Sequence, residues 1–84
     1  MHNSLKCLLN NIIGYATVGN DITVKTHNFI LSARENDSLM SWIAIYKKRK
    51  IHFIAETGET HIVFQIITIF INDVDKEVND EDNS

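Results

Sequence analysis

Residues 60–71 read Thr60-His61-Ile62-Val63-Phe64-Gln65-Ile66-Ile67-Thr68-Ile69-Phe70-Ile71. The run is rich in β-branched and aromatic side chains and comes after a turn signal, Glu56-Thr57-Gly58-Glu59. It therefore reads as the second strand of a hairpin over residues 50–71. Tight closure pairs Ala55 with Thr60, Phe53 with Ile62 and Ile51 with Phe64. One face then carries Ile51, Phe53, Ala55, Ile62, Phe64, Ile66 and Phe70. The other carries His52, Ile54, Glu56, Glu59, His61, Val63 and Gln65, and beyond Gln65 it turns apolar again with Ile67, Ile69 and Ile71. In a strand those three cannot share a face with Ile66 and Phe70. One set must leave a core covered on a single side, and an exposed isoleucine ladder is a surface for association. Ile67, Ile69 and Ile71 are thus the expected self-association site, with a homodimer as its product.

Upstream, residues 37–48 fit two elements. As a helix, Leu39, Ile43 and Tyr46 share a stripe with Met40 and Trp42 beside it. As a strand, Trp42, Ala44 and Tyr46 alternate with Ile43 and Ile45. Asn36, Asp37 and Ser38 offer caps, acids stand at the start and bases at the end, so the helix is the expectation. Residues 21–33 read as a hairpin whose turn is 25–28, pairing Val24 with Phe29 and Ile22 with Leu31. Those four then share a face with Ala33, while Asp21, Thr23 and Lys25 face away. Residues 4–16 read as a helix with Leu5, Leu8, Leu9, Ile12 and Ile13 in one stripe. Asn3 or Ser4 would cap it, and it would end between Gly14 and Gly19. The expected fold is α+β, in the order αββαββ. It is a small four-stranded antiparallel sheet from two hairpins with two helices on one face. Phe29-x-Leu31-x-Ala33 followed by Leu39-x-x-Trp42-Ile43-x-x-Tyr46 is similar to the last strand and closing helix of pleckstrin-homology domains. That family carries the element at its C-terminus, whereas here it lies mid-chain, and no phosphoinositide function is carried over from it.

The chain has 84 residues, 44% hydrophobic and 23% charged, enough for one domain, expected over residues 1–72. So short a chain buries a modest fraction of its surface and gains from a partner. It has no proline, and its one cysteine, Cys7, forms no disulfide framework or CxxC knuckle. A lone thiol suits a reducing compartment, and beside the apolar stripe it reads as buried. No signal peptide or lipidation motif is apparent, and a span needs about 20 apolar residues. The expected location is cytoplasmic, with no membrane contact.

The net charge of −3 conceals an asymmetry. Residues 73–84 hold six acids (Asp73, Asp75, Glu77, Asp80, Glu81, Asp82) and one base, whereas residues 1–72 hold seven bases and five acids. The acidic segment has two apolar residues, Val74 and Val78, and reads as a largely disordered tail. It solubilises the chain, imitates phosphate charge toward a basic partner, or folds back onto the basic run Lys47-Lys48-Arg49-Lys50. That run is the candidate polyanion or acidic-partner contact, aided by Trp42 or Tyr46 if exposed. Its bland counterpart is a helix end decorated with cations.

His52 and His61 would be diagonal neighbours near Glu56 and Glu59, a geometry within zinc's reach but without any short-range ligand motif. No nucleophile elbow or glycine-rich phosphate loop occurs, so no catalytic residue, metal or cofactor is expected. The expected function is that of a non-enzymatic protein–protein interaction module, self-associating, and of the inhibitor or antagonist kind found among phage or mobile-element proteins. The alternative is a nucleic-acid-binding module using residues 47–50.

Overall fold

The computed structural model describes residues 2–16 and 21–83, and side chains from residue 7 to residue 77 within that range. The order is α1 (His2–Ala16), β1 (Ile22–Lys25), β2 (Phe29–Asn36), β3 (Leu39–Tyr46), β4 (Arg49–Glu56) and α2 (Thr60–Asn83). The strands form one antiparallel sheet in the order β1-β2-β3-β4. The fold is α+β, with a four-stranded antiparallel sheet and two helices, as the periodicities require. The order of elements is αββββα, not αββαββ.

Two segments exchange roles. Residues 39–46 are a strand, not a helix, with Met40, Trp42 and Ala44 buried and Ile43 and Ile45 on the opposite face. The capping residues of the expected helix make a tight turn instead. Asp37 takes φ 58°, a left-handed conformation that Asp tolerates better than most residues. The similarity to a closing pleckstrin-homology helix is therefore not one of structure.

The turn at 56–59 stands where it was expected. The Glu59 N–H donates to the Glu56 carbonyl at 3.1 Å, and Gly58 supplies φ 95°. The turn leads into helix α2 and not into a strand. Val63, Ile67, Ile71 and Val74 recur at i, i+4, i+8 and i+11, and all are at most 4% exposed. That stripe answers the difficulty of two apolar strand faces, because a 3.6-residue period gathers onto one side what a two-residue period splits. Its β-branched residues cost helix propensity of about half a kcal/mol each. Burying a large aliphatic side chain contributes about 1.5–3 kcal/mol, so packing prevails. Thr68 is accommodated by donating its hydroxyl to the Phe64 carbonyl at 2.7 Å. The same helix continues through residues 73–83, so the expected tail boundary at residue 72 is not a structural one.

α1 ends at Ala16 as expected. It starts at His2, ahead of Asn3 and Ser4, whose side chains lie outside the described residues, as does that of Leu5. The first hairpin has the expected inward set, but its register is displaced by two residues. Ile22 pairs with Ala33 and Val24 with Leu31. A shift of two keeps every side chain on its face, so alternation alone cannot detect it. Leu9, Ile12, Ile13 and Ala16 of α1 and Val63, Ile67 and Ile71 of α2 join Phe29, Leu31, Ala33, Met40, Trp42 and Ala44 in one core. Trp42 is its largest member and stacks on Phe53, centroids 6.2 Å apart and planes within 6°.

Two substitutions separate helix from strand in α2. Ile67→Ala should cost about 2–5 kcal/mol, whereas Ile69→Ala, 60% exposed, should cost under about 1 kcal/mol. Chemical denaturation measures both, and equal losses would contradict the helical stripe. At the β3–β4 turn Lys47 and Lys48 both have positive φ, 50° and 71°, the two-residue geometry that favours Asn-Gly. Lys48→Gly should therefore raise the unfolding free energy by up to about 1 kcal/mol.

Candidate functional site

The basic run lies at a hairpin tip, not at a helix end. Lys47 and Lys48 form the β3–β4 turn, and Arg49 and Lys50 begin β4. Helix α2 brings two acids of the expected tail against it. Asp75 Oδ1 accepts from Lys47 Nζ and from the Tyr46 hydroxyl, each at 2.9 Å. Arg49 Nη2 pairs with Glu77 Oε2 at 3.0 Å. Lys47 also stands 5.1 Å from the centroid of the Tyr46 ring. The acidic segment thus folds back onto the basic run through Asp75 and Glu77. Asp73 is exposed, and the side chains of Asp80, Glu81 and Asp82 lie outside the described residues. The segment is anchored from the apolar side as well, because Val74 is 4% exposed.

Burial pushes the Tyr46 phenol above its ordinary value near 10.0, and the Asp75 carboxylate that accepts its proton adds to the rise. Lys47 is likewise raised, by its hydrogen bonds to Asp75 and then to Tyr46. Both groups hold their protons more tightly folded than unfolded. Their contribution to stability is complete below about pH 10 and is lost as pH rises through the folded values.

The two faces of the sheet differ sharply. Phe29, Leu31, Ala33, Met40, Trp42, Ala44 and Phe53 lie under the helices. The other face carries Ile30 directly opposite Ile45, and Ile43 next along β3. Ile54 of β4, opposite Ser41, is diagonal to Ile43 and 62% exposed. Adjacent members of such a set are about 5–8 Å apart. The result is a diagonal isoleucine stripe across three strands, ending at the β4 edge. Its rim is polar: Ser41 Oγ and His52 Nε2 are 2.7 Å apart, Thr23 Oγ1 and Ser32 Oγ 3.3 Å. An apolar centre with a polar rim is the usual anatomy of a protein interface.

The expected association site is dispersed. Ile67 and Ile71 are in the monomer core, 0% and 3% exposed, while Ile69 stands on the outside of α2. Helical geometry keeps Ile67 and Ile71, four residues apart, on one face and turns Ile69, two residues from each, away from it. His52 lies on the open sheet face and His61 on α2, 3.8 Å from Glu59, so the two histidines do not converge. Among the described residues no three metal-ligating side chains come together. Cys7 is exposed, not buried as its place beside the stripe implied. Between α1 and α2 lies an open cleft of about 560 Å³, lined by Asn10, Ile13, Gly14, Thr60, His61, Phe64 and Gln65. Among the described residues no helix is long and apolar enough to cross a membrane. The open-face isoleucines escaped the sequence reading, although the alternation of Ile43 and Ile45 against Trp42 and Ala44 carried the signal.

In a Tyr15→Phe background, the phenolate absorbance of Tyr46 should appear at higher pH than that of free tyrosine. Asp75→Ala should bring it back down. Unfolding free energy should likewise fall above about pH 10 in the wild type and do so less steeply in Asp75→Ala. A Tyr46 titration unmoved by Asp75→Ala would show that the carboxylate does not govern the phenol.

Comparison with protein-family models, with curated proteins and with solved structures yields no match, so the functional reading rests on the molecule's own surfaces.

Proposed function

We propose that the chain is a non-enzymatic protein–protein interaction module that self-associates and offers the open face of its sheet to a protein target. The observation that carries this reading is the isoleucine stripe Ile30-Ile45-Ile43-Ile54, which no described residue covers from above while α1 and α2 pack on the other face. A target burying large aliphatic side chains there gains about 1.5–3 kcal/mol for each fully covered one. Size and composition fit an inhibitor or antagonist of phage or mobile-element type, by analogy alone. A cytoplasmic location accords with the exposed free thiol of Cys7.

Two observations weigh against the nucleic-acid alternative. Lys47 and Arg49 of the basic run are already paired with Asp75 and Glu77. The aromatic rings that would stack on bases are turned inward, with Trp42 2% exposed and the Tyr46 hydroxyl held by Asp75.

Ile43→Thr with Ile45→Thr tests the surface, because threonine keeps the strand propensity and removes the apolar contact. A target retained by the wild type and by an Ile69→Thr control should be lost from this double variant. Equal retention by all three would exclude the open face as the contact. Light scattering tests self-association, and a wild type that stays monomeric at high micromolar concentration refutes it.

A further inference from the structure

β4 is the long free edge of the sheet. β1, at the other end, has four residues and β4 has eight. β4 contains no proline and pairs with β3 along its whole length without a bulge, so two common protections of an edge are missing. The two-residue turn makes Tyr46 and Arg49 a hydrogen-bonded pair. By alternation, the backbone groups of Ile51, Phe53 and Ala55 then point at β3, and those of Lys50, His52 and Ile54 point outward. Among the described residues no turn, loop or cap hydrogen bond takes up these outward groups.

We propose that this edge pairs antiparallel with β4 of a second copy, about a two-fold axis through Phe53, giving a continuous eight-stranded sheet. The inference rests on the self-association reading and specifies its geometry. The sequence of β4 is complementary to itself in this register. On the open face Lys50 stands opposite the partner's Glu56, and His52 opposite the partner's Ile54. Each is a pair whose backbone groups face the seam. On the helix-covered face Ile51 stands opposite the partner's Ala55, and Phe53 opposite its own copy. All of these covered-face residues are half-buried in the single chain.

Other registers lose this match. A shift of two in one direction sets Lys50 against Ile54 and His52 against itself, with Glu56 beyond the strand. The opposite shift carries Lys50 past the strand end. A shift of one opposes Phe53 to His52 and puts the partner's helices on the other side. In the proposed register both pairs of helices lie on one side. The partner's Ile54 falls diagonal to Ile54, so the two isoleucine stripes join into one surface. A two-fold arrangement of this kind is closed and does not propagate.

Charge exchange in the full-length chain tests the register. Lys50→Glu and Glu56→Lys each set like charges opposite one another at both ends of the seam. Either variant alone should dimerise about tenfold or more weakly than the wild type at low salt. An equimolar mixture should regain wild-type strength as a heterodimer, seen by analytical ultracentrifugation, because each chain then meets its opposite charge twice. In a Cys7→Ser background, a His52→Cys chain mixed with an Ile54→Cys chain should form a heterodisulfide on mild oxidation, since directly opposed Cα atoms lie about 5.5 Å apart. A wild type that dimerises while the charge variants bind as tightly as before, or while the heterodisulfide fails to form, overturns β4 pairing and leaves self-association standing. A wild type that never dimerises removes both.

Discussion

The seating of the α2 stripe on the sheet is the constraint on which the rest depends. Val63, Ile67 and Ile71 bury themselves against the face that carries Trp42, Met40 and Leu31. With α1 beside it, the chain has used both its helices on one side of a four-stranded sheet. Nothing in the described residues covers the other side, so Ile30, Ile43, Ile45 and Ile54 are left at the surface by topology. Their exposure follows from the same packing that makes the core.

The second consequence lies at the hairpin tip. Because α2 continues past Val74, Asp75 and Glu77 arrive beside Lys47 and Arg49. Exposed pairs of this kind contribute little singly, about 0–1 kcal/mol, but here they are joined to a half-buried Tyr46 hydroxyl and to the left-handed turn at Lys47-Lys48. Two non-glycine residues with positive φ are costly, and such strain persists where surrounding contacts over-determine the backbone. The clamp also pairs Lys47 and Arg49 of the basic run within the chain.

Much of this was legible residue by residue. The inward sets Ile22, Val24, Phe29, Leu31, Ala33 and Ile51, Phe53, Ala55 follow from strict alternation, and the α1 stripe from its 3.6-residue period. The turn at 56–59 was marked by Gly58. The fold-back of acids onto the basic run was one of the readings open to a charge-asymmetric chain. The register of the first hairpin was not legible, since shifts by two leave every face unchanged. Nor were the open-face isoleucines, whose recognition needed residues 39–46 to be a strand.

The sequence by itself determined the class, the number of strands and helices, and which residues of β1, β2 and β4 point inward, because local periodicity encodes them. It did not determine which of two segments was the strand and which the helix. At 37–48, caps and charges favoured a helix, yet Trp42 is buried only if alternate residues face the core. At 60–71, β-branched propensity favoured a strand, yet an apolar run with no polar alternation fits both periods. Tertiary structure decided both together. A strand at residues 60–71 along the open edge of β4 would split its apolar residues between the two faces of the sheet. Those residues reach the core together only by coiling, which aligns Val63, Ile67, Ile71 and Val74 and carries Asp75 to Tyr46 and Lys47. Local propensities worth tenths of a kcal/mol per residue yield to burial worth about 1.5–3 kcal/mol per side chain, and only the assembled core reveals which burial is available.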